Sequence, residues 1–262
     1  MRDPHEGVSS AGMISTGVSR SRVRPPFAAV VDEAVARLTN RDVTIDVYVY
    51  GSVATGTAVT GVSDVDLLTI GATPVDAAEV AQLMSRVHAQ VCRSVDVAVA
   101  QHDDYVGDTD EVYGNRAFLR HYCVHLAGPR MIDIAEDFPA DRRAARGFNG
   151  DIDRHLHQWR AAFAAGTEPA QLGRTVARKT LLAVAGLVSV HDRTWTTDRD
   201  TAALRWAQLH TELADDLATL QTWSHGTAIA ARSDLGAMLS GTIPVLVASF
   251  DLDIGLWAEA GA

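Results

Sequence analysis

The sequence predicts an α+β fold, with a small mixed β-sheet and flanking helices in its N-terminal part and an all-α C-terminal part. Three short segments before residue 101 alternate apolar and polar residues, as strands do, and two segments beside them have helical spacing. From about residue 113 onward the spacing is mainly helical. The predicted divisions are a flexible tail over 1–24, an α/β part over 25–112 and a helical part over 113–262.

Composition narrows the possible function classes. The chain has 262 residues, of which 47% are hydrophobic and 21% charged, as in a globular protein with a core of its own. Its net charge of −10 argues against nucleic acid as a partner, which needs a basic face, and favours cationic small molecules. The two cysteines, Cys92 and Cys123, lack CxxC spacing, which argues against a disulfide scaffold and a Cys-bound zinc.

No part of the sequence suggested membrane insertion or secretion. The apolar run Leu181–Val190 is about half as long as a bilayer span. The N-terminus lacks the apolar region of a signal peptide. We therefore expect a soluble, cytoplasmic protein with no membrane partner.

The first elements follow from the apolar spacing. Residues 1–24 have no hydrophobic period and are predicted to form the flexible tail, which Pro25-Pro26 ends. An amphipathic helix is predicted from Phe27 to Leu38, because its apolar residues recur at helical spacing. Alternation from Val43 to Tyr50 predicts a strand with one apolar face. The residues of that face are Val43, Ile45, Val47 and Val49.

Two further strands and a helix complete the predicted sheet region. Asp64–Ile70 is the second strand, and Thr73-Pro74 starts a helix, since Pro is favoured at the first helical position. Ser94–Ala100 is the third strand, followed by an acid-rich loop over 101–111. Breaks between the C-terminal helices are predicted near Gly128-Pro129, Pro139, Gly166–Pro169, His191–Asp200 and Gly241–Pro244.

The segment that joins the first two strands carries the chemistry. Gly51-Ser52 ends the first strand, and eleven residues separate it from Asp64 and Asp66, whose carboxylates are expected on one strand face. Carboxylates so close repel each other unless a cation lies between them, and Mg²⁺ is the natural oxygen-bound partner. Gly51 lets the backbone approach a phosphate, to which Ser52 adds a hydroxyl donor. Such a site suits phosphoryl or nucleotidyl transfer.

A third carboxylate would complete a two-metal site or deprotonate an acceptor hydroxyl. Asp96 qualifies, because it stands on the third strand among valines, thirty residues after Asp66. A charge on so apolar a strand is unfavourable unless it is paired or binds a metal. The predicted catalytic and metal-binding residues are therefore Asp64, Asp66 and Asp96.

This set of residues resembles the nucleotidyltransferase superfamily that includes DNA polymerase β and the kanamycin and streptomycin adenylyltransferases. The family pattern is hydrophobic-Gly-Ser, a short spacer, Asp-hydrophobic-Asp and a later single acid on a strand. It is matched by Gly51, Ser52, Asp64, Asp66 and Asp96. The resemblance implies a catalytic nucleotidyltransferase domain over 25–112, Mg²⁺ as the metal and ATP as the nucleotide co-substrate. It also implies that Gly51 and Ser52 bind the nucleotide.

The C-terminal part resembles the aminoglycoside 3''-adenylyltransferase branch of that superfamily. Leu119–Pro129 is similar to the linker after the catalytic domain, and the segment from Ala177 onward is similar to a helix and turn that line the ATP. This resemblance implies that the nucleotide is also bound by Arg178, Lys179 and Arg199.

The same resemblance implies where an acceptor would bind, with two departures from the family. Trp159 falls where an indole contacts the aminoglycoside, although an ordinary buried helix tryptophan is the alternative. The acid expected after it is replaced by Ala164, and the nearest acid, Glu168, is taken as the second substrate-binding residue. Asp96 stands where the branch usually has Glu, one methylene longer.

Three functions remain open from the sequence. The first is Mg²⁺-dependent transfer of AMP from ATP to a hydroxyl of a cationic small molecule such as an aminoglycoside, an antibiotic-resistance activity. The second is nucleotidyl transfer to a macromolecule, as in antitoxin-type protein or RNA modification. The third is a non-catalytic binding protein with a retained fold, against which the three intact acids argue.

Overall fold

The structure is a computed structural model, in which residues 2–40 and 44–258 are described. These residues form two compact units. The α/β unit contains residues 14–138 and the segment before residue 7, and the helical unit contains residues 7–13 and those from 139 onward. The mixed α+β fold class is as the sequence predicts, but the division lies at 138/139 rather than at 112/113.

The N-terminal segment has structure, so the prediction of a flexible tail over 1–24 is wrong for its described residues. It contains β1 (Gly7–Val8), β2 (Ile14–Ser15) and a 3₁₀ turn (Arg20–Arg22). The Tyr122 hydroxyl donates to Glu6 at 2.8 Å, and Ile14 is buried. Single side-chain contacts of this kind leave no hydrophobic period in the sequence, which is why periodicity did not reveal them.

The α/β unit is built on a four-stranded sheet with the order β5-β4-β3-β6. The strands are β3 (Asp46–Tyr50), β4 (Val65–Ile70), β5 (Val95–Ala100) and β6 (Val124–Ala127). β3 runs antiparallel to both β4 and β6, whereas β4 and β5 are parallel. The three predicted strands are thus present, and Val43, the predicted start of the first, lies outside the described residues.

Of the four α-helices in the described part of this unit, the first and the start of the third lie where the sequence places them. The four are α1 (Pro25–Thr39), the short α2 (Gly51–Thr55), α3 (Pro74–Val87) and α4 (Asp110–Tyr122). The Thr73 hydroxyl caps α3 by accepting from the Asp76 N–H at 3.1 Å, as Thr-Pro at a helix start predicts. The loop over 101–111 contains a 3₁₀ turn (His102–Tyr105) and the first residues of α4.

The predicted one-sided burial of β3 is wrong, because its polar face is buried as well. Asp46 has no exposed surface and Tyr48 is 4% exposed. A buried carboxylate must be paired, and Asp46 accepts from the N–H groups of Arg130 at 2.7 Å and Met131 at 2.6 Å and lies 3.2 Å from His125 Nε2. β6, unpredicted within a region expected to be helical, brings His125 beside β3.

The helical unit has seven α-helices within the described residues, with α7 central among them. They are α5 (Arg142–Asn149), α6 (Ile152–Ala164), α7 (Pro169–His191), α8 (Arg199–Leu209), α9 (Ala214–His225), α10 (Arg232–Ser240) and α11 (Thr242–Asp253). Most of the second half of α7 is buried. The sequence predicted the breaks before α7, after it and at Gly241, but missed those before α6 and between α8, α9 and α10.

One segment of this unit is long and apolar enough to cross a membrane. It is Arg232–Asp253, whose most apolar stretch has a mean hydropathy of 1.6 and is 39% buried. Gly241 divides it into α10 and α11, and Leu235, Ile243 and Phe250 are buried as in a core helix. A single such segment is weak evidence for a membrane protein.

Candidate active site

Gly51 connects the end of β3 to α2 and lies against a predicted ligand acid. Its φ of 69° is in the left-handed region that favours glycine. A Cβ at this position would lie only 2.5 Å from Asp66 Oδ2. Asp66 is placed there by strand pairing, since it is the β4 partner of Tyr50. Ser52 follows as the second residue of α2.

Asp66 and Asp96 are neighbours across the parallel pair of β4 and β5. They are direct register partners, so their side chains leave the same face of the sheet. Asp96 is exposed, whereas the preceding Val95 is buried at 2% exposure. Asp96 therefore projects away from the buried side of its strand.

Asp64 immediately precedes β4 and is held by the residues that precede β5. The Arg93 guanidinium binds both of its carboxylate oxygens, with Nε 2.9 Å from Oδ1 and Nη2 on Oδ2. The Ser94 hydroxyl donates to Asp64 Oδ1 at 2.7 Å. The hydroxyl oxygen of Ser94 also lies 3.4 Å from Asp96 Oδ2. Because the Ser94 hydroxyl carries one proton, it donates that proton to the nearer carboxylate, which is Asp64.

The three acids act electrostatically on their neighbours. The hydrogen bonds to Asp64 raise the pKa of Arg93 above its usual range, partial burial opposes them, and the charges of Asp64, Asp96 and Asp66 add to the rise. Burial raises the pKa of the Cys92 thiol, and Asp64 and Asp96 raise it further. Cys92 is therefore a neutral core thiol rather than a nucleophile.

The residues provide the right ligand types for Mg²⁺ but not a finished site. Carboxylate and hydroxyl oxygens on adjacent strands are what Mg²⁺ binds. Across residues 2–40 and 44–258, however, no group of three or more His, Cys, Asp or Glu side chains is arranged to hold a metal ion. The Asp64 carboxylate is bound by Arg93.

The helical unit has a basic pocket of about 420 Å³ on one side of α7. It is lined by Arg174, Thr175, Arg178, Lys179, Leu182 and Arg199. The three bases predicted to bind the nucleotide are thus brought together. Lys179 is already paired with Asp151 at 2.7 Å. Burial acts to raise the pKa of Asp151, but the hydrogen bond with His155 and the charge of Lys179 outweigh it and lower that pKa.

Trp159 and Glu168, the predicted acceptor-binding residues, both have structural partners. Trp159 of α6 is 4% exposed and stacks on His155 with ring centroids 5.5 Å apart. So little exposed surface favours the interpretation as a core tryptophan over contact with a ligand. The Glu168 carboxylate caps α7 by accepting from the Gln171 N–H at 2.9 Å.

Comparison with known proteins identifies the α/β unit. Residues 31–130, which include the whole four-stranded sheet and all three acids, match the nucleotidyltransferase domain family. The chain carries a nucleotidyltransferase domain. A search of curated protein sequences found no match.

The fold of the chain is similar to that of a solved adenyltransferase. The crystal structure of spectinomycin adenyltransferase AAD(9) from Enterococcus faecialis with ATP and spectinomycin matches it with a TM-score of 0.54 and 11% sequence identity. The match covers 86% of this chain and 99% of that chain. At this identity the likeness concerns the fold, which is α+β with helices after the nucleotidyltransferase domain.

Sequence reasoning about the nucleotidyltransferase missed three polar residues at these sites. Arg93 and Ser94 directly precede the strand that carries Asp96, a position where parallel pairing with β4 could have suggested contact with Asp64. Arg174 lies four residues before Arg178 on α7 and therefore on the same helix face. Its Nε is buried without a hydrogen-bond partner in the described part of the chain.

Proposed function

We propose that this nucleotidyltransferase transfers AMP from ATP to a hydroxyl of a cationic small molecule, such as an aminoglycoside, with Mg²⁺ as the metal. The observation that carries the proposal is the placement of Asp66 and Asp96 as direct neighbours, with Asp64 tied to the start of β5 and Gly51 against Asp66. If the acceptor is an antibiotic, the reaction inactivates it, and the expected location is the cytoplasm.

The three acids have different tasks in this proposal. Asp64 and Asp66 would hold Mg²⁺, which supplies positive charge to the triphosphate and to the oxyanion that develops during transfer. Asp96 is exposed at the neighbouring strand position and would accept the proton of the acceptor hydroxyl, which makes that oxygen a nucleophile. Being an Asp rather than a Glu, it requires the acceptor to come closer to β5.

Each unit, considered by itself, contains one group of residues suited to phosphate oxygens. In the α/β unit, Gly51 leaves the space that a side chain would fill, and the Ser52 hydroxyl can donate to a phosphate. In the helical unit, the bases of the pocket provide guanidinium groups suited to phosphate oxygens. The buried Nε of Arg174 lacks a partner within the described residues, so an oxyanion in the pocket would satisfy it.

A second acceptor class is favoured by the same pocket. Four bases around one cavity would also suit an acceptor that carries phosphate, such as RNA. The net charge of −10 opposes that interpretation, because a large polyanion is repelled by the rest of the surface. The cationic small molecule is therefore the proposed acceptor.

The test is AMP transfer from ATP and Mg²⁺ to separate acceptors, which are a panel of aminoglycosides and tRNA, read by mass spectrometry. The expected result is a mass increase of one AMP on an aminoglycoside, absent with Asp96→Asn and without Mg²⁺. Label on tRNA alone would support the macromolecular alternative. No transfer to either class by a protein that binds ATP would contradict the proposal.

A further inference from the structure

Arg93 is a cation at the acid site that the nucleotidyltransferase motif does not include. Its guanidinium binds both oxygens of Asp64, and a two-pronged contact of this kind is the stronger form of an Arg–carboxylate pair. The Asp64 side chain is 13% exposed, whereas that of Arg93 is 49% exposed. The acid is thus held within the site while the arginine stands half in solvent.

Three carboxylates at one corner of the sheet repel each other, and something must offset that repulsion when no metal is bound. Arg93 is a cation in contact with Asp64, and the charges of Asp64, Asp96 and Asp66 all raise its pKa. Its neighbour Ser94 is anchored by the sheet, because the Ser94 carbonyl accepts from the Val65 N–H at 2.9 Å. Ser94 can therefore keep its hydrogen bond to Asp64 if Arg93 leaves.

We infer that Arg93 is the resident counter-cation of the acid site, which neutralises Asp64 in the absence of metal and is displaced by Mg²⁺. Arg93 is in this sense a positioning residue, which holds Asp64 turned toward β5 rather than contacting substrate. The inference rests on the proposed function, because it assumes that Asp64 is a metal ligand. It is consistent with the finding that no group of three or more His, Cys, Asp or Glu side chains among the described residues is arranged to hold a metal ion.

Displacement of Arg93 is compatible with its surroundings. A side chain that is half exposed can move its guanidinium into water without disturbing the core. Metal binding then consists of an exchange, in which one cation leaves Asp64 as another arrives. The apparent affinity for the metal is consequently lower than it would be without the Arg93–Asp64 pair.

The test is Mn²⁺ binding to the full chain without nucleotide, measured by electron paramagnetic resonance. Arg93→Gln removes the competing charge and is expected to bind Mn²⁺ about fivefold more tightly than the wild type, the size expected for one partly exposed ion pair. Arg93→Lys, which keeps the charge but not the two-pronged contact, should fall between them. Arg37→Gln is the matched control, because it breaks the exposed Arg37–Glu33 pair on α1 and leaves Mn²⁺ affinity unchanged.

A second readout separates a counter-cation from a purely structural arginine. Without metal, Arg93→Gln should unfold at lower temperature than the wild type, and saturating Mn²⁺ should remove that difference. Equal or weaker Mn²⁺ binding by Arg93→Gln, or a stability loss that Mn²⁺ leaves in place, would overturn the inference while AMP transfer by the wild type leaves the proposed function standing. Equal Mn²⁺ binding by the wild type and Asp64→Asn would overturn both.

Discussion

Asp64 and Asp96 are both carboxylates of the same corner, but their surroundings differ. Asp64 is enclosed by Arg93 and Ser94, while Asp96 is exposed and its Oδ2 lies 3.4 Å from the Ser94 hydroxyl. An enclosed acid suits a ligand that stays bound, and an exposed acid suits an acceptor that comes and goes. Neutralising Asp64 and neutralising Asp96 should therefore have different effects on nucleotide binding and on transfer.

We predict that Asp96→Asn abolishes transfer but leaves Mg-ATP affinity largely intact, whereas Asp64→Asn weakens Mg-ATP binding as well. The amide cannot accept the proton of the acceptor hydroxyl, but Asp64 and Asp66 still hold the metal. Calorimetry with Mg-ATP and a transfer assay on the same preparations provide the measurement. An equal loss of ATP affinity in both variants would contradict this division of roles.

A second residue-scale prediction concerns His121, which is 8% exposed and accepts from the Phe138 N–H at 2.9 Å. Burial lowers its pKa to about 4, with Asp137 opposing and Arg120 assisting. Between pH 6.5 and pH 4 the unfolded chain therefore binds a proton at His121 that the folded chain does not bind. The contribution of the neutral His121 to the free energy of unfolding is fully present above pH 6.5 and is lost as the pH falls toward 4.

The variant that tests it is His121→Gln, whose amide oxygen can still accept from Phe138 but does not titrate. The stability advantage of the wild type over this variant should shrink by about 2 kcal/mol between pH 7.5 and pH 5. Urea unfolding at the two pH values measures it. An advantage that stays constant with pH would show that His121 remains protonatable in the folded protein.

At the scale of elements, the connection from β3 into α2 depends on a glycine for two separate reasons. Gly51 has a left-handed φ of 69°, and its Cα faces the Asp66 carboxylate. Gly61 provides a matched case, since its φ is 74° but a Cβ there would meet nothing within 4 Å. Comparing substitutions at Gly51 and Gly61 therefore separates the effect of backbone strain from the effect of displacing Asp66.

We predict that Gly51→Ala and Gly61→Ala each lower the free energy of unfolding by about 1–2 kcal/mol through left-handed strain. Only Gly51→Ala should also weaken Mg-ATP binding, at least tenfold, because its methyl group displaces Asp66. Denaturant unfolding and calorimetry give the two numbers. Similar ATP affinity in the two variants would mean that Asp66 adjusts without loss.

Local signals account for the elements that the sequence predicted well. Thr73-Pro74 fixed the start of α3, and the apolar alternation placed Asp66 and Asp96 on two strands. β6 was missed because its support comes from β3, with His125 contacting Asp46 across 79 residues of chain. Arg93 was missed for a similar reason, since its role depends on contact with Asp64, which lies 29 residues earlier in the chain.

Considered as a whole, the molecule combines a net charge of −10 with a local concentration of bases on α7. Long-range attraction therefore favours cations, while phosphate binding depends on a short-range pocket. In the proposed function, a cationic acceptor and the nucleotide would thus be recruited by different features of the same chain. The two should be distinguishable by their response to salt and to substitution.

We predict that the affinity for an aminoglycoside acceptor falls severalfold between 50 and 300 mM KCl, because attraction by the acidic surface is screened over about 10 Å at 0.1 M salt. Isothermal calorimetry with the acceptor identified by the transfer assay provides the measurement. Arg178→Gln serves as control, since it should weaken ATP binding without changing the salt dependence of the acceptor. Acceptor affinity that is independent of salt would assign recognition to uncharged contacts.

The position of β5 at the margin of the sheet has a consequence for how the protein behaves in a crowded solution. An outermost strand offers unpaired backbone groups to any other chain that arrives, and proteins discourage such pairing with charged side chains and very short marginal strands. β5 carries Asp96, and β6, at the opposite margin, is only four residues long. The carboxylate assigned to proton transfer thus also helps to keep neighbouring molecules from aggregating.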